Sequence, residues 1–188
     1  MLLEDYMKFE SGTIINRVIL YDDVEKGLPI RTYNQDYYAY DAGRKCSDLD
    51  TSNEIHVKAT SKLNIVEKGD IILKLTGGEC VMATEHSEGT LLPYNYSKVI
   101  LSRELDPFFF LAWFNYSEES RKQIGQAINS DQYDYKITHE YLKSMKITIP
   151  SSEKQQEIRD FIVSKISLKR MLVEHNAISK RFIQKYLF

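Results

Sequence analysis

Apolar and polar positions change rhythm several times along this chain, and each rhythm predicts an element. Residues 8–20 (KFESGTIINRVIL) predict a turn at Gly12 followed by a β-rich stretch. Residues 27–53 are polar and tyrosine-rich with turn formers at both ends, which predicts long loops around a short strand. EIHVKAT alternates as a strand does. VEKGDIILKLTGGECVMAT predicts a Gly69-Asp70 turn, a strand from Ile71 to Leu75, a Gly77-Gly78 turn and a second strand; KVILSREL predicts another. Asp106-Pro107 supplies an N-cap and a first-turn proline to a helix that is apolar almost all round, so that helix is expected to be buried. A second helix is expected from Ser117 to about Ile128, then a polar loop (NSDQYDYK) and a short helix in THEYLKS.

The clearest change of rhythm lies in MKITIPSSEKQQEI, residues 145–158. Met145, Ile147 and Ile149 alternate with Lys146 and Thr148, the period of a half-buried strand, and after Pro150 the pattern turns helical. Ser152 is the expected N-cap, with Gln155 closing a capping box. The following stretch of about 35 residues lacks Gly and Pro and spans roughly 50 Å as a helix. Phe161, Leu168, His175 and Phe182 recur at steps of seven; Met171, Leu172, Ile178 and Tyr186 widen the stripe, and Lys165 and Ser179 interrupt it. Periodicity alone favours a helix packed along its own domain, while the length favours pairing with another helix. The fold class is therefore α+β: a β-rich domain with a few helices over residues 1–149, then a long coiled-coil-like helix over 150–188.

Composition narrows the function. Hydrophobic residues at 43% permit a real core, and the longest apolar run, PFFFLAWF, is too short to cross a bilayer. Cys46 and Cys80 give neither a disulfide framework nor a CxxC pair, and His139-Glu140 lacks the second histidine of HExxH. The acidic N-terminus does not resemble a signal peptide, so a cytoplasmic, metal-free protein is expected. Net charge is −2, but residues 153–188 carry eight Lys/Arg against four Asp/Glu, leaving −6 on the rest. An acidic body argues against indiscriminate phosphate binding and leaves room for a local reading surface.

No enzyme signature stands out. KLTGGEC lacks the lysine and hydroxyl of a P-loop, DPFF lacks the second proline of the amino-methyltransferase motif, and Asp134-Tyr135-Lys136 supplies half of a metal-nuclease pattern. The thirteen tyrosines are more informative: Tyr33, Tyr37, Tyr38 and Tyr40 share one stretch, Tyr94 and Tyr96 flank Asn95, and Tyr133 and Tyr135 share another. Tyrosine suits recognition loops, and about half of these are expected to cover the core edge instead. Arg31, Asn34, Gln35, Tyr37, Arg44, Lys45, Lys74, Thr76, Asn95, Tyr96, Gln132, Tyr133 and Lys136 are the candidate DNA-contacting residues, since such side chains read base edges or phosphates. Ile158, Phe161, Leu168, Leu172, His175 and Phe182 are the candidate dimerisation residues of the helix.

Taken in order, these features resemble the DNA-specificity (S) subunits of type I restriction–modification enzymes. YLKSMKITIPSSEKQQEI resembles that family's junction through Leu142, Ile147, Ile149, Pro150, Glu153, Gln155 and Ile158, although Ser151 and Lys154 depart from it. VEKGDIILKLTGG resembles its GDil strand through Gly69, Asp70, Ile71 and Gly77, and DPFFFLAWF its aromatic helix. The resemblance implies a non-catalytic, half-size specificity subunit with one target recognition domain, homodimerising through its helix on an interrupted palindrome in double-stranded DNA. It implies no cofactor on this chain, S-adenosylmethionine on a partner methyltransferase (M) subunit, and a restriction (R) subunit for cleavage. The competing readings are a DNA-free dimeric ligand- or protein-binding module, a small metal-dependent nuclease using Asp134 and Lys136, and a fragment of a larger specificity gene.

Overall fold

A continuous apolar run, Ile71-Ile72-Leu73, forms the middle of the protein, because a strand covered on both faces has no polar side to present. The computed structural model describes residues 1–20, 27–45, 53–58, 62–130 and 136–186. Strands β1 (Met7–Ser11), β4 (Ile71–Lys74), β5 (Glu79–Met82) and β6 (Tyr96–Leu101) form an antiparallel sheet in the order β1-β6-β4-β5. Strands β2 (Leu28–Arg31) and β3 (Glu54–Val57) form a separate antiparallel pair. Helices α1 (Ile15–Val18), α2 (Gln35–Asp41), α3 (Pro107–Tyr116), α4 (Glu118–Ser130), α5 (His139–Ser144) and α6 (Ser152–Tyr186) complete the fold.

The period of two sorts β4 between two cores. Ile71 and Leu73 face a cluster with Phe110, Phe114, Ile124, Leu142 and Ile147, built by α3, α4 and α5. Ile72 faces the other way, onto Tyr33, Tyr37, Tyr38, Val66, Leu92 and Tyr96. Each fully buried Phe or Ile contributes roughly 1.5–3 kcal/mol relative to exposure. A third, smaller cluster of Val18, Val57 and Leu91 supports the two-stranded sheet. Edge strand β5 is shielded at Cys80, whose backbone N–H and C=O pair with the Asn115 amide at 2.9 and 2.8 Å.

The strands expected in EIHVKAT, from Ile71 to Leu75, after Gly77-Gly78 and in KVILSREL are found as β3, β4, β5 and β6, with β4 ending at Lys74 and β6 running from Tyr96 to Leu101, and the helices expected after Asp106, Ser117 and Thr138 are present. Four expectations are corrected. The strand near Gly12 precedes that residue rather than following it, and α1 occupies the stretch expected to be β-rich. Gly12 sits where a Cβ would lie 2.0 Å from the Pro93 carbonyl oxygen, so this junction has room only for glycine. The stretch expected to be loops contains α2, capped by Asn34, whose Oδ1 accepts from the Asp36 and Tyr37 N–H groups. Residues 145–149 alternate in burial as expected, yet among the described residues they form a single bridge, Leu2 to Lys146, with the first three residues lying alongside them.

The fourth correction concerns the start of α6. Ser151, not Ser152, caps the helix, its hydroxyl accepting from the Lys154 N–H at 3.4 Å. Gln155 closes no box. It is buried, accepts from the Asp106 N–H at 2.8 Å, and donates to the Glu104 and Pro150 carbonyls at 3.2 and 3.3 Å. Arg159 adds an ion pair to Asp106 at 3.0 Å and lies over Phe108. These contacts fasten the root of α6 to the N-terminus of α3. Further along, Lys165 sits over the Tyr116 ring and Lys169 donates to the Ala42 carbonyl at 2.7 Å.

Candidate nucleic-acid interface

Four chain segments meet at the C-terminal end of β4. Lys74 donates to Gln35 Oε1 at 2.9 Å and lies over the Tyr38 ring. The Leu75 N–H bonds the Asn95 carbonyl, Thr76 bridges to Lys136, and the Ile137 N–H bonds the Leu75 carbonyl. Lys136 in turn places its ammonium 4.6 Å from the Tyr94 ring centroid. Gln35, Lys74, Thr76, Tyr94, Asn95 and Lys136 thus form one surface of two cations, two amides, a hydroxyl and an aromatic ring. Such groups can donate to phosphates and pair with base edges.

Hydrogen bonds and packed rings hold the frame beneath. The Tyr96 N–H closes a turn onto the Pro93 carbonyl at 3.0 Å, which leaves Tyr94 and Asn95 at its tip. The Tyr33 and Tyr96 rings meet edge to face with centroids 5.2 Å apart, and the Tyr38 hydroxyl donates to the Glu79 carbonyl at 3.2 Å. Buried Asp41 accepts from the Tyr33 and Ser87 hydroxyls and from the Thr84 hydroxyl and N–H, all within 2.9 Å. Burial raises the Asp41 carboxyl above the ordinary carboxylate range, against the opposing pull of those hydrogen bonds. Burial also holds the phenols of Tyr33 and Tyr38 well above the ordinary value and pushes Tyr96 up to about 12. These tyrosines remain neutral at any working pH.

The expected DNA-contacting residues divide accordingly. Gln35, Lys74, Thr76, Asn95 and Lys136 come together. Tyr37 and Tyr96 are 1% and 3% exposed and belong to the second core, so their assignment to a reading surface is corrected: burial removes their side chains from any groove. Asn34 is spent on its helix cap. Lys45 pairs with Asp36 at 2.7 Å, and Arg44 pairs with Glu79, the cross-strand neighbour of Lys74, where it lines a cavity under α6. Arg31 stands exposed on β2 opposite Glu54. Gln132, Tyr133 and Asp134 lie outside the described residues. Tyr94, half exposed, was absent from the expected set; the Pro93-Tyr94-Asn95 turn pattern was the available signal.

The helix residues divide too. Ile158 packs against the first core, so its placement in a dimerisation stripe is corrected. It belongs with Gln155, Ile162, Ile166 and Lys169 on a face turned to the body. Phe161, Leu168, Leu172, His175 and Phe182 are exposed, as are Met171, Ile178 and Tyr186, and they fall on the opposite face. The helix therefore packs along its own domain with one face and leaves an apolar stripe open on the other. Among the described residues no group of three or more His, Cys, Asp or Glu side chains could hold a metal ion, and no helix is long and apolar enough to cross a membrane.

Comparison with known proteins agrees with this architecture. The family model of the type I restriction modification DNA specificity domain matches residues 9–171. The HsdS subunit from Thermoanaerobacter tengcongensis superposes with a TM-score of 0.53 at 16% identity, over 94% of this chain and 39% of that one. A chain from a structure on the structural basis underlying complex assembly and conformational transition of the type I R-M system superposes with a TM-score of 0.58 at 13% identity, over 98% of this chain and 42% of that one. The chain therefore spans about two fifths of the length of these solved relatives. No curated protein sequence matches it.

Proposed function

The chain belongs to the type I restriction modification DNA specificity domain family, and on that premise we propose that it is a non-catalytic subunit reading one half of a bipartite site in double-stranded DNA. Residues 1–149 would form the recognition unit and 150–188 the spacer and dimerisation helix. The reading rests chiefly on the convergence of Gln35, Lys74, Thr76, Tyr94, Asn95 and Lys136 at the end of β4. Lys74 and Lys136 hold phosphates while Gln35 and Asn95 present amides to base edges. Two copies pairing through the open stripe of α6 generate the two-fold symmetry of an interrupted palindrome. Methyltransferase subunits supply S-adenosylmethionine and most phosphate contacts, and a restriction subunit supplies cleavage, which accounts for a recognition unit that is itself acidic.

The test is DNA binding by the chain co-purified with its methyltransferase, measured across a salt series. Lys74→Ala and Lys136→Ala are expected to weaken binding to all sequences and to lower the salt slope by about one each. Gln35→Ala and Asn95→Ala are expected to cost about 1–3 kcal/mol at the cognate site and to relax sequence preference. If all four variants bind as the parent does, the reading surface lies elsewhere. Light scattering on the full chain and on one truncated after Ile149 tests dimerisation separately, and a monomeric full chain removes the helix-pairing part.

A further inference from the structure

Between its inner face and the body, α6 leaves a cavity of about 660 Å³ that DNA reading does not use. The volume falls within the ~300–1,000 Å³ of small-molecule sites. Val81, Ala83, Leu111, Ile162 and Ile166 give it an apolar wall. Tyr40 and His86 form an aromatic plate at its rim, with centroids 4.2 Å apart and a hydrogen bond of 3.2 Å between them.

The charges around this wall do not balance. Arg44 is neutralised by Glu79 and Lys68 by Glu85. Lys165, Lys169 and Arg170 line the same cavity, and none has a carboxylate within ion-pair distance among the described residues. Arg170 Nε is buried with no hydrogen-bond partner among the described residues, a condition that native structures seldom tolerate without a ligand, ion or water. Lys169 is held below the ordinary lysine range by burial and then by the charge of Arg44. Five cations, Arg44, Lys68, Lys165, Lys169 and Arg170, thus line the cavity against three carboxylates, Asp41, Glu79 and Glu85, with Glu79 acting on Lys169 and Glu85 on Arg170 at longer range, and such a cationic excess beside an apolar wall focuses an anion-attracting field.

We propose that this cavity binds a small organic anion of the nucleoside monophosphate class. Its phosphate sits among Arg170, Lys169 and Lys165, and its base lies on the apolar wall beside the Tyr40–His86 plate. Arg170 suits the phosphate because a guanidinium offers paired donors to an oxyanion. The apolar wall gives a reason to bind more than a bare ion. The site does not depend on the DNA-reading proposal.

Isothermal titration of the full chain with adenosine 5′-monophosphate, adenosine and inorganic phosphate tests it. The monophosphate is expected to saturate with Kd below about 1 mM, and each fragment to bind at least about tenfold more weakly. Arg170→Gln and Lys165→Gln are each expected to weaken monophosphate binding about tenfold, while Lys180→Gln on the distal helix leaves it unchanged. Lys165 is exposed, so its variant decides the matter if Arg170→Gln fails to fold. The proposal is overturned if the monophosphate does not saturate by about 10 mM, if either fragment binds as tightly as the whole, or if Lys165→Gln binds it as the parent does.

Discussion

Replacing Gln155 by alanine should loosen the root of α6. Gln155 is 6% exposed and makes three hydrogen bonds, accepting from the Asp106 N–H and donating to the carbonyls of Glu104 and Pro150. Removing the amide strips a partly buried N–H of its acceptor, worth about 1–3 kcal/mol, and two carbonyls of a donor, worth somewhat less because they retain access to other partners. Partial rewetting of the site lowers the sum, so the expected loss is about 2–4 kcal/mol. In a domain of this length that is a fall in Tm of roughly 4–16 °C. Urea unfolding at fixed protein concentration measures it, followed by the fluorescence of Trp113, the sole tryptophan, buried in the first core. Gln156→Ala, one residue on and exposed, is the control and should change stability by less than about 0.5 kcal/mol. A Gln155→Ala variant as stable as that control would refute the reasoning.

Other outcomes follow from the same geometry. Asp41 titrates above its ordinary value when folded, so its contribution to stability is present below the unfolded carboxylate pKa and is lost as pH rises through the folded one. Urea midpoints of the parent should therefore fall across that window relative to Asp41→Asn, and parallel profiles would contradict the assignment. Gly78 has φ +56° and a Cβ there would lie 2.5 Å from Ile137 Cδ1 and 2.8 Å from Ile124 Cγ2, so Gly78→Ala should cost about 1–3 kcal/mol in denaturant melts. Gly125 lies within α4 with open space at its Cβ position, so Gly125→Ala should stabilise by about 0.4–1 kcal/mol in the same melts.

What the sequence discloses and what it hides can be traced to particular residues. Asp106-Pro107 predicts the start of α3 because capping is a local interaction, and Asp106 does accept from the Phe108 and Phe109 N–H groups. Ile71 to Leu73 predict β4 because apolar runs bounded by glycine turns are also local. Helix α2 was hidden because its tyrosines look like loop decoration, although Asn34 and the left-handed Gly43 mark its two ends. Met145 to Ile149 carry a strand's alternation, but pairing depends on a distant segment, and among the described residues only the N-terminal three lie alongside. For the interface, residue type pointed to Lys74, Thr76, Asn95 and Lys136. It could not separate Tyr96, which faces the core, from Tyr94 at the turn tip.

The two faces of α6 give the helix a double text. In a scan of substitutions along it, positions in step with Gln155, Ile158, Ile162 and Ile166 should register in the melting temperature of a single chain. Those in step with Phe161, Leu168, Leu172 and Phe182 should leave that temperature nearly untouched and register only in how copies associate. Both signals repeat every ~3.6 residues, offset by about a third of a turn. A helix variant that keeps the parent's melting temperature yet changes the oligomeric state is therefore expected among the outward positions.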